Sequence, residues 1–220
     1  MTVIRRDKLA PRDRSGHLYY VRLNTPIGVL YKLGYTKLGS VEERLAFKGL
    51  GEQKMIDQVL CFVYLPDAYD VERLLHGNFS SQLAFGKFSA IEEMPLFRNG
   101  QSELYCEDVL EFDDEFSKDG AKLAMEKATL ARYTKIWGSE EKARQMIRSH
   151  NVVDQIGKVL GTVLFWALVF PIVWVVKKFS KNDRNNDPSR KHYEQYNARV
   201  SATIERLRQA EAERRTPTPN

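Results

Sequence analysis

The stretch His17-Leu-Tyr-Tyr-Val-Arg-Leu-Asn-Thr-Pro-Ile-Gly-Val-Leu-Tyr-Lys-Leu-Gly-Tyr35 decides the fold. Its first seven residues are aromatic, β-branched or aliphatic in alternation, the pattern of a strand with one buried face. Asn24-Thr-Pro-Ile-Gly28 is a turn signal, because Pro presets φ and Gly accepts backbone conformations closed to other residues. Val29–Tyr35 then reads as a second strand, so the unit is a hairpin.

Reading outward, Ser40-Val-Glu-Glu43 has the form of a capping box, and a helix is expected through about Lys48. Met55–Leu65 reads as a third strand. Asp67–Phe79 reads as a helix, with Ala68, Val71, Leu74 and Leu75 at helical spacing. Ser102–Cys106 reads as a short extended piece, and Val109–Phe116 is acidic and mixed. Gly120–Ile147 is rich in helix formers and reads as a helical connector. A charged helix is expected around Tyr193–Arg214. The predicted class is α+β: a small mixed or antiparallel sheet flanked by helices, spanning 17–116. A basic, flexible N-terminus (1–16) precedes it. The connector (117–158), an apolar helix (159–176) and a charged, partly helical tail (177–220) follow.

The apolar helix is Val159-Leu-Gly-Thr-Val-Leu-Phe-Trp-Ala-Leu-Val-Phe-Pro-Ile-Val-Trp-Val-Val176, eighteen residues without a charge. At 1.5 Å per residue it approaches the ~30 Å of a bilayer's hydrocarbon. Lys158 and Lys177-Lys178 flank it, with stems that reach headgroups. It has no polar face, which argues against a helix of a soluble core. A single membrane crossing is the expectation, with a shallow or re-entrant insertion as the lesser alternative. Basic residues gather more densely after the segment than before it, which favours a cytoplasmic C-terminus. An N-terminal domain that works inside the cell needs the opposite orientation, and the two arguments conflict.

Charge narrows the partners. The chain has 34 Lys+Arg against 29 Asp+Glu, a net +5. Residues 1–150 carry 22 of each, so a nucleic-acid site there has to come from local clustering. The two cysteines, Cys61 and Cys106, lie in different apolar segments and are expected as buried free thiols. There is no Cys/His cluster for zinc, no Walker-type loop, no GxSxG elbow and no HExxH.

Five pieces now line up in order: His17-Leu18-Tyr19, Lys32-Leu33-Gly34, Val41-Glu-Glu-Arg-Leu45, Val71-Glu-Arg-Leu-Leu-His76 with Phe79, and Ser102-Glu103-Leu104-Tyr105. Together they resemble the GIY-YIG endonuclease superfamily, in particular its phage-type branch, over about ninety residues. Two positions depart from the family pattern. His17 stands where the first glycine would be, and Lys32 where the main family has its second tyrosine.

The resemblance implies a divalent-metal-dependent endonuclease acting on DNA. Tyr19 would serve the attacking water as base, with Lys32 or Arg44 lowering its pKa from the usual ~10. Arg44 would contact the scissile phosphate, and His76 would orient or shuttle a proton. Glu103 would bind Mg²⁺ or Mn²⁺, and Gly34 would permit close backbone approach. A guanidinium fork and a divalent ion are what charge developing on a phosphate requires. The implied setting is a membrane-tethered nuclease domain in the cytoplasm, with DNA and membrane lipid as partners and the charged C-terminal helix available to a protein or to anionic lipid.

Each residue also has a plainer reading. Tyr19 fits a core aromatic, Arg44 a solvated helix face, His76 a favourable charge at a helix end, and Glu103 a surface strand position. The alternative function is a catalytically weak version of the fold used as a membrane-tethered binding or interaction module.

Overall fold

The computed structural model describes residues 13–46, 49–150 and 188–216. The expected apolar helix, 159–176, lies outside the described residues. Among those described, no helix is long and apolar enough to cross a membrane. The chain divides into two compact units, Met1–Met125 with Thr203–Asn220, and Glu126–Ala202.

The first unit is built on a four-stranded antiparallel sheet in the order β3-β1-β2-β4. The expected hairpin is β1 (Gly16–Thr25) and β2 (Gly28–Thr36), paired Tyr19 to Gly34 and Val21 to Lys32. Thr25 Oγ1 donates to the Gly28 carbonyl across the turn, at 2.6 Å. β3 (Ile56–Leu65) pairs with the other edge of β1, with irregularities between Tyr20 and Val21 and between Arg22 and Leu23. β4 is only Leu104–Tyr105. Among the described residues no strand pair is parallel, so this sheet is antiparallel rather than mixed.

Helix α1 (Val41–Ala46) starts on the predicted cap. The Glu43 amide donates to Ser40 Oγ at 3.2 Å, while the Glu43 carboxylate reaches back to the Gly39 amide rather than to Ser40. Val41 and Leu45, one turn apart, are buried, each contributing about 1.5–3 kcal/mol of apolar burial. Helix α2 (Ala68–Asn78) buries Ala68, Val71 and Leu75.

Three boundaries differ from the sequence reading. Residues 13–16 belong to the fold and not to a flexible leader: Arg14 pairs with Asp70, its carbonyl accepts the Tyr69 amide, and Tyr35 donates to the Ser15 carbonyl. Residues 101–103 are a 3-10 turn, not strand, because Gly100 precedes them at φ 92°. The connector is not one helix. Helix α3 (Lys118–Trp137) stops at Gly138, φ 76°, and a separate helical stretch covers 140–150.

The acidic run after β4 is folded against the sheet face that carries Tyr20, Arg22 and Tyr31. Tyr20 donates to Asp108 at 2.8 Å and Tyr31 to Asp113 at 2.6 Å, while Arg22 pairs with Asp113 at 2.8 Å. These carboxylates satisfy hydroxyls that would otherwise be buried without partners. A cleft of about 220 Å³ lies beside them, lined in part by Arg22, Tyr31 and Cys106. Both cysteines are free and buried, as expected, and burial pushes each thiol up to about 12.

The C-terminal helix, Pro188–Arg215, is longer than the sequence suggested. Its final turns meet the outer edge of β3. Glu211, buried, accepts the Phe62 amide at 3.3 Å, and Arg215 donates to the Leu60 carbonyl at 3.3 Å. Arg206 also pairs with Asp67 at 3.1 Å. Helix side chains thus take up backbone groups that an edge strand leaves open.

Candidate active site

The site forms on the other face of the hairpin. Residues opposite one another in an antiparallel pair share a face, and so do residues two apart. Tyr19, opposite Gly34, therefore lies on the same side as Lys32. Both are fully buried. A Cβ at Gly34 would collide with the Tyr19 ring, so glycine there sets how closely the ring packs on β2.

Lys32 supplies the first link across the sequence. Its ammonium donates to Glu103 Oε2 and to the Gly100 carbonyl, the latter at 3.2 Å. Gly100 makes room: a Cβ there would strike both the Lys32 Nζ and the Glu103 carboxylate. The 3-10 turn that follows aims Glu103 back at β2. Burial opposes the charge on Lys32, yet Tyr19 and Glu103 raise its pKa overall. Burial likewise works against ionised Glu103, but Lys32 outweighs it and the carboxyl titrates below its usual range.

Arg44 comes from α1, and its guanidinium donates to Asn99 Oδ1 at 2.8 Å. Asn99 is buried and also donates to the Leu45 carbonyl at 3.2 Å and to the buried Glu52. It thereby ties α1 to the loop before Gly100. Asn99 is not among the residues expected from the sequence. Its signal was the Asn-Gly dipeptide, a turn marker that says nothing about a side chain reaching Arg44.

His76 and Glu72 come from α2, one turn apart. His76 Nδ1 shares a 2.6 Å hydrogen bond with the Tyr105 hydroxyl, and the two rings stack. Its Nε2 is buried 3.9 Å from Glu72 Oε1, and the ring also meets the backbone of Leu33 on β2. Glu72 accepts the Tyr35 amide at 3.1 Å, on the edge of β2 beyond the two residues that β4 covers. Burial lowers the His76 pKa, so the ring is neutral near pH 7. Burial, then the charge on Glu103, pushes Glu72 up to about 7.

Tyr19, Lys32, Arg44, Glu72 and Glu103 are close enough to act electrostatically on one another. His76 also feels Lys32 and Glu103. The five residues given roles from the sequence are thus brought to one place, together with Glu72, which the spacing already sets on the His76 face of its helix, and with Asn99, which no motif marks.

No protein-family model, curated protein or solved structure matches this chain.

One expected property is reversed. Lys32 or Arg44 was expected to lower the Tyr19 pKa; both act in that direction, but burial outweighs them and the pKa is raised overall. The Tyr19 hydroxyl is therefore neutral, buried and without a hydrogen-bond partner, a donor rather than a ready base. The hydrogen bonds of Lys32 go to Glu103 and the Gly100 carbonyl, not to the Tyr19 hydroxyl.

A divalent ion has one ionised carboxylate to meet here. Among the described residues no three His, Cys, Asp or Glu side chains form a metal cage. A single carboxylate suits Mg²⁺ or Mn²⁺ that keeps most of its waters and takes further oxygens from a phosphate, so the donor set fits that mode.

Proposed function

We propose that this chain is a divalent-metal-dependent endonuclease of the GIY-YIG type that hydrolyses phosphodiester bonds in DNA, held at a membrane through 159–176. The observation that carries the reading is the convergence of Tyr19, Lys32, Arg44, His76 and Glu103, from five separate stretches of chain, around the half-buried Lys32–Glu103 ion pair.

The division of labour follows from the charges. Arg44, fixed by Asn99, offers a guanidinium to a phosphate. Lys32 keeps Glu103 ionised, the form that holds Mg²⁺ or Mn²⁺. When bound, the ion neutralises charge developing on the phosphate oxygens. Neutral His76, beside Glu72 and the Tyr105 hydroxyl, is the group assigned to take the proton from the attacking water. That moves the base role from Tyr19 to His76 and leaves the Tyr19 hydroxyl as a hydrogen-bond donor.

A second reading has its own support. The Glu103 carboxylate is already partnered by Lys32, and Tyr19 is wholly buried, as suits a catalytically weak module that binds without cutting. Cleavage of supercoiled plasmid by the full-length chain separates the two. The nuclease reading expects nicking with Mg²⁺ or Mn²⁺, none with EDTA, and at least a hundredfold loss in Arg44→Ala and Glu103→Ala. DNA binding without nicking by folded protein supports the binding module.

A further inference from the structure

The two ends of the chain that bracket the apolar run belong to one folded unit. Residues up to Met125 and residues from Thr203 onward form the same compact body. The joint is specific. Glu211 accepts the Phe62 amide, and Arg215 donates to the Leu60 carbonyl. Arg206 pairs with Asp67, and Arg208 donates to the Leu110 carbonyl at 3.2 Å. Leu207 is fully buried and Glu211 nearly so.

Between these halves lies the charge-free stretch 159–176, flanked by Lys158 and Lys177-Lys178. One crossing of a bilayer would set the halves on opposite sides of ~30 Å of hydrocarbon. Asp67 and Arg206 could not then touch, and neither could Phe62 and Glu211. Passing a charged helix back through the hydrocarbon is not an escape, because each charge costs heavily there. Exchange of the C-terminal helix between two copies inserted the same way round does not help, since every copy would have that helix on the far side.

We infer that the chain engages a lipid bilayer from one side only, with residues 13–125 and 203–216 together in one compartment. The inference rests on the lipid-seeking reading of 159–176 and is independent of the nuclease reading. It also removes a conflict in the sequence. The Lys/Arg excess after the apolar run favours a cytoplasmic C-terminus, and a nuclease needs a cytoplasmic N-terminal domain. With the chain on one side, both hold at once.

The test is impermeant-maleimide labelling of the full-length chain in right-side-out and inverted vesicles from expressing bacterial cells. Single cysteines are introduced as Lys87→Cys and Glu213→Cys, both at exposed positions. Native Cys61 and Cys106 give little background, being buried with thiols pushed up to about 12. Labelling of both variants in the same vesicle type, and of neither in the other until detergent is added, is the expected result. Labelling of the two variants in opposite vesicle types overturns the inference. So does a chain that stays behind when the vesicles are floated through a density gradient, because it then has no lipid partner. Plasmid nicking by the same preparations reads the nuclease question separately.

Discussion

Lys32, without exposed surface on β2, donates its ammonium to Glu103 on the turn before β4, seventy-one residues later. Removing one partner of such a pair strands the other in low dielectric. Glu103→Ala should therefore lower the unfolding free energy by about 3 kcal/mol, and Lys32→Met with Glu103→Leu should recover most of it. Urea denaturation of the single and double variants checks this. Equal losses in Glu103→Ala and the double variant would mean that the pair does not control stability.

Glu72 gives the molecule a pH dependence of definite sign. Its folded pKa, about 7, lies above the ordinary 4.5, so folding favours the protonated form. The stability this contributes is present below pH 4.5 and is lost as pH rises through 7. Between pH 4.5 and 8, Glu72→Gln should gain about 2–3 kcal/mol relative to wild type, because the amide can still accept the Tyr35 amide without carrying charge. Urea midpoints at the two pH values decide the matter, and parallel pH profiles for the two proteins would remove Glu72 from the account.

His76 and Glu103 respond in the opposite direction. Both have depressed pKa values in the fold, so their contributions are present above the unfolded values and lost as pH falls through the folded ones. Cleavage should accordingly fall on acidification as His76 becomes charged. His76→Ala should remove that limb of the profile along with at least a hundredfold in rate. A pH–rate profile measured below pH 7 reads it directly.

Gly34 and Tyr19 form a steric pair. Gly34→Ala should cost about 2 kcal/mol, since the new methyl must displace a fully buried ring. Adding Tyr19→Ala to that variant should cost less than Tyr19→Ala costs wild type. A double-mutant cycle on thermal unfolding gives the coupling, and additive losses would show that the two do not touch.

Asn99 tests positioning of the arginine. Asn99→Ala frees Arg44 and unpairs the Leu45 carbonyl and Glu52, so cleavage and stability should both fall, the latter by about 2 kcal/mol. Arg44→Ala should reduce cleavage as much with a far smaller stability loss, because Arg44 is only half-buried. Parallel plasmid nicking and urea titrations separate the two effects.

The local elements were legible in the residues themselves. Alternation over His17–Leu23 and Val29–Tyr35, with Thr25-Pro26 and Gly28 between them, dictates a hairpin through side-chain period and turn chemistry. Ser40 and Glu43 specify where α1 begins, and Ala68, Val71 and Leu75 which face of α2 is buried. Which residues deserved notice was also written locally, in Tyr19, Lys32, Arg44, His76 and Glu103. Their partners were not. That Lys32 donates to Glu103 and not to the Tyr19 hydroxyl, that Asn99 holds Arg44, and that Glu211 closes the β3 edge all depend on contacts across many tens of residues. Periodicity reports which side of an element is apolar, while a pKa and an ion pair depend on what burial brings alongside. Only the packed structure fixes those, because the cost of desolvating a charge and the distance to its counter-charge exist only once the chain has closed.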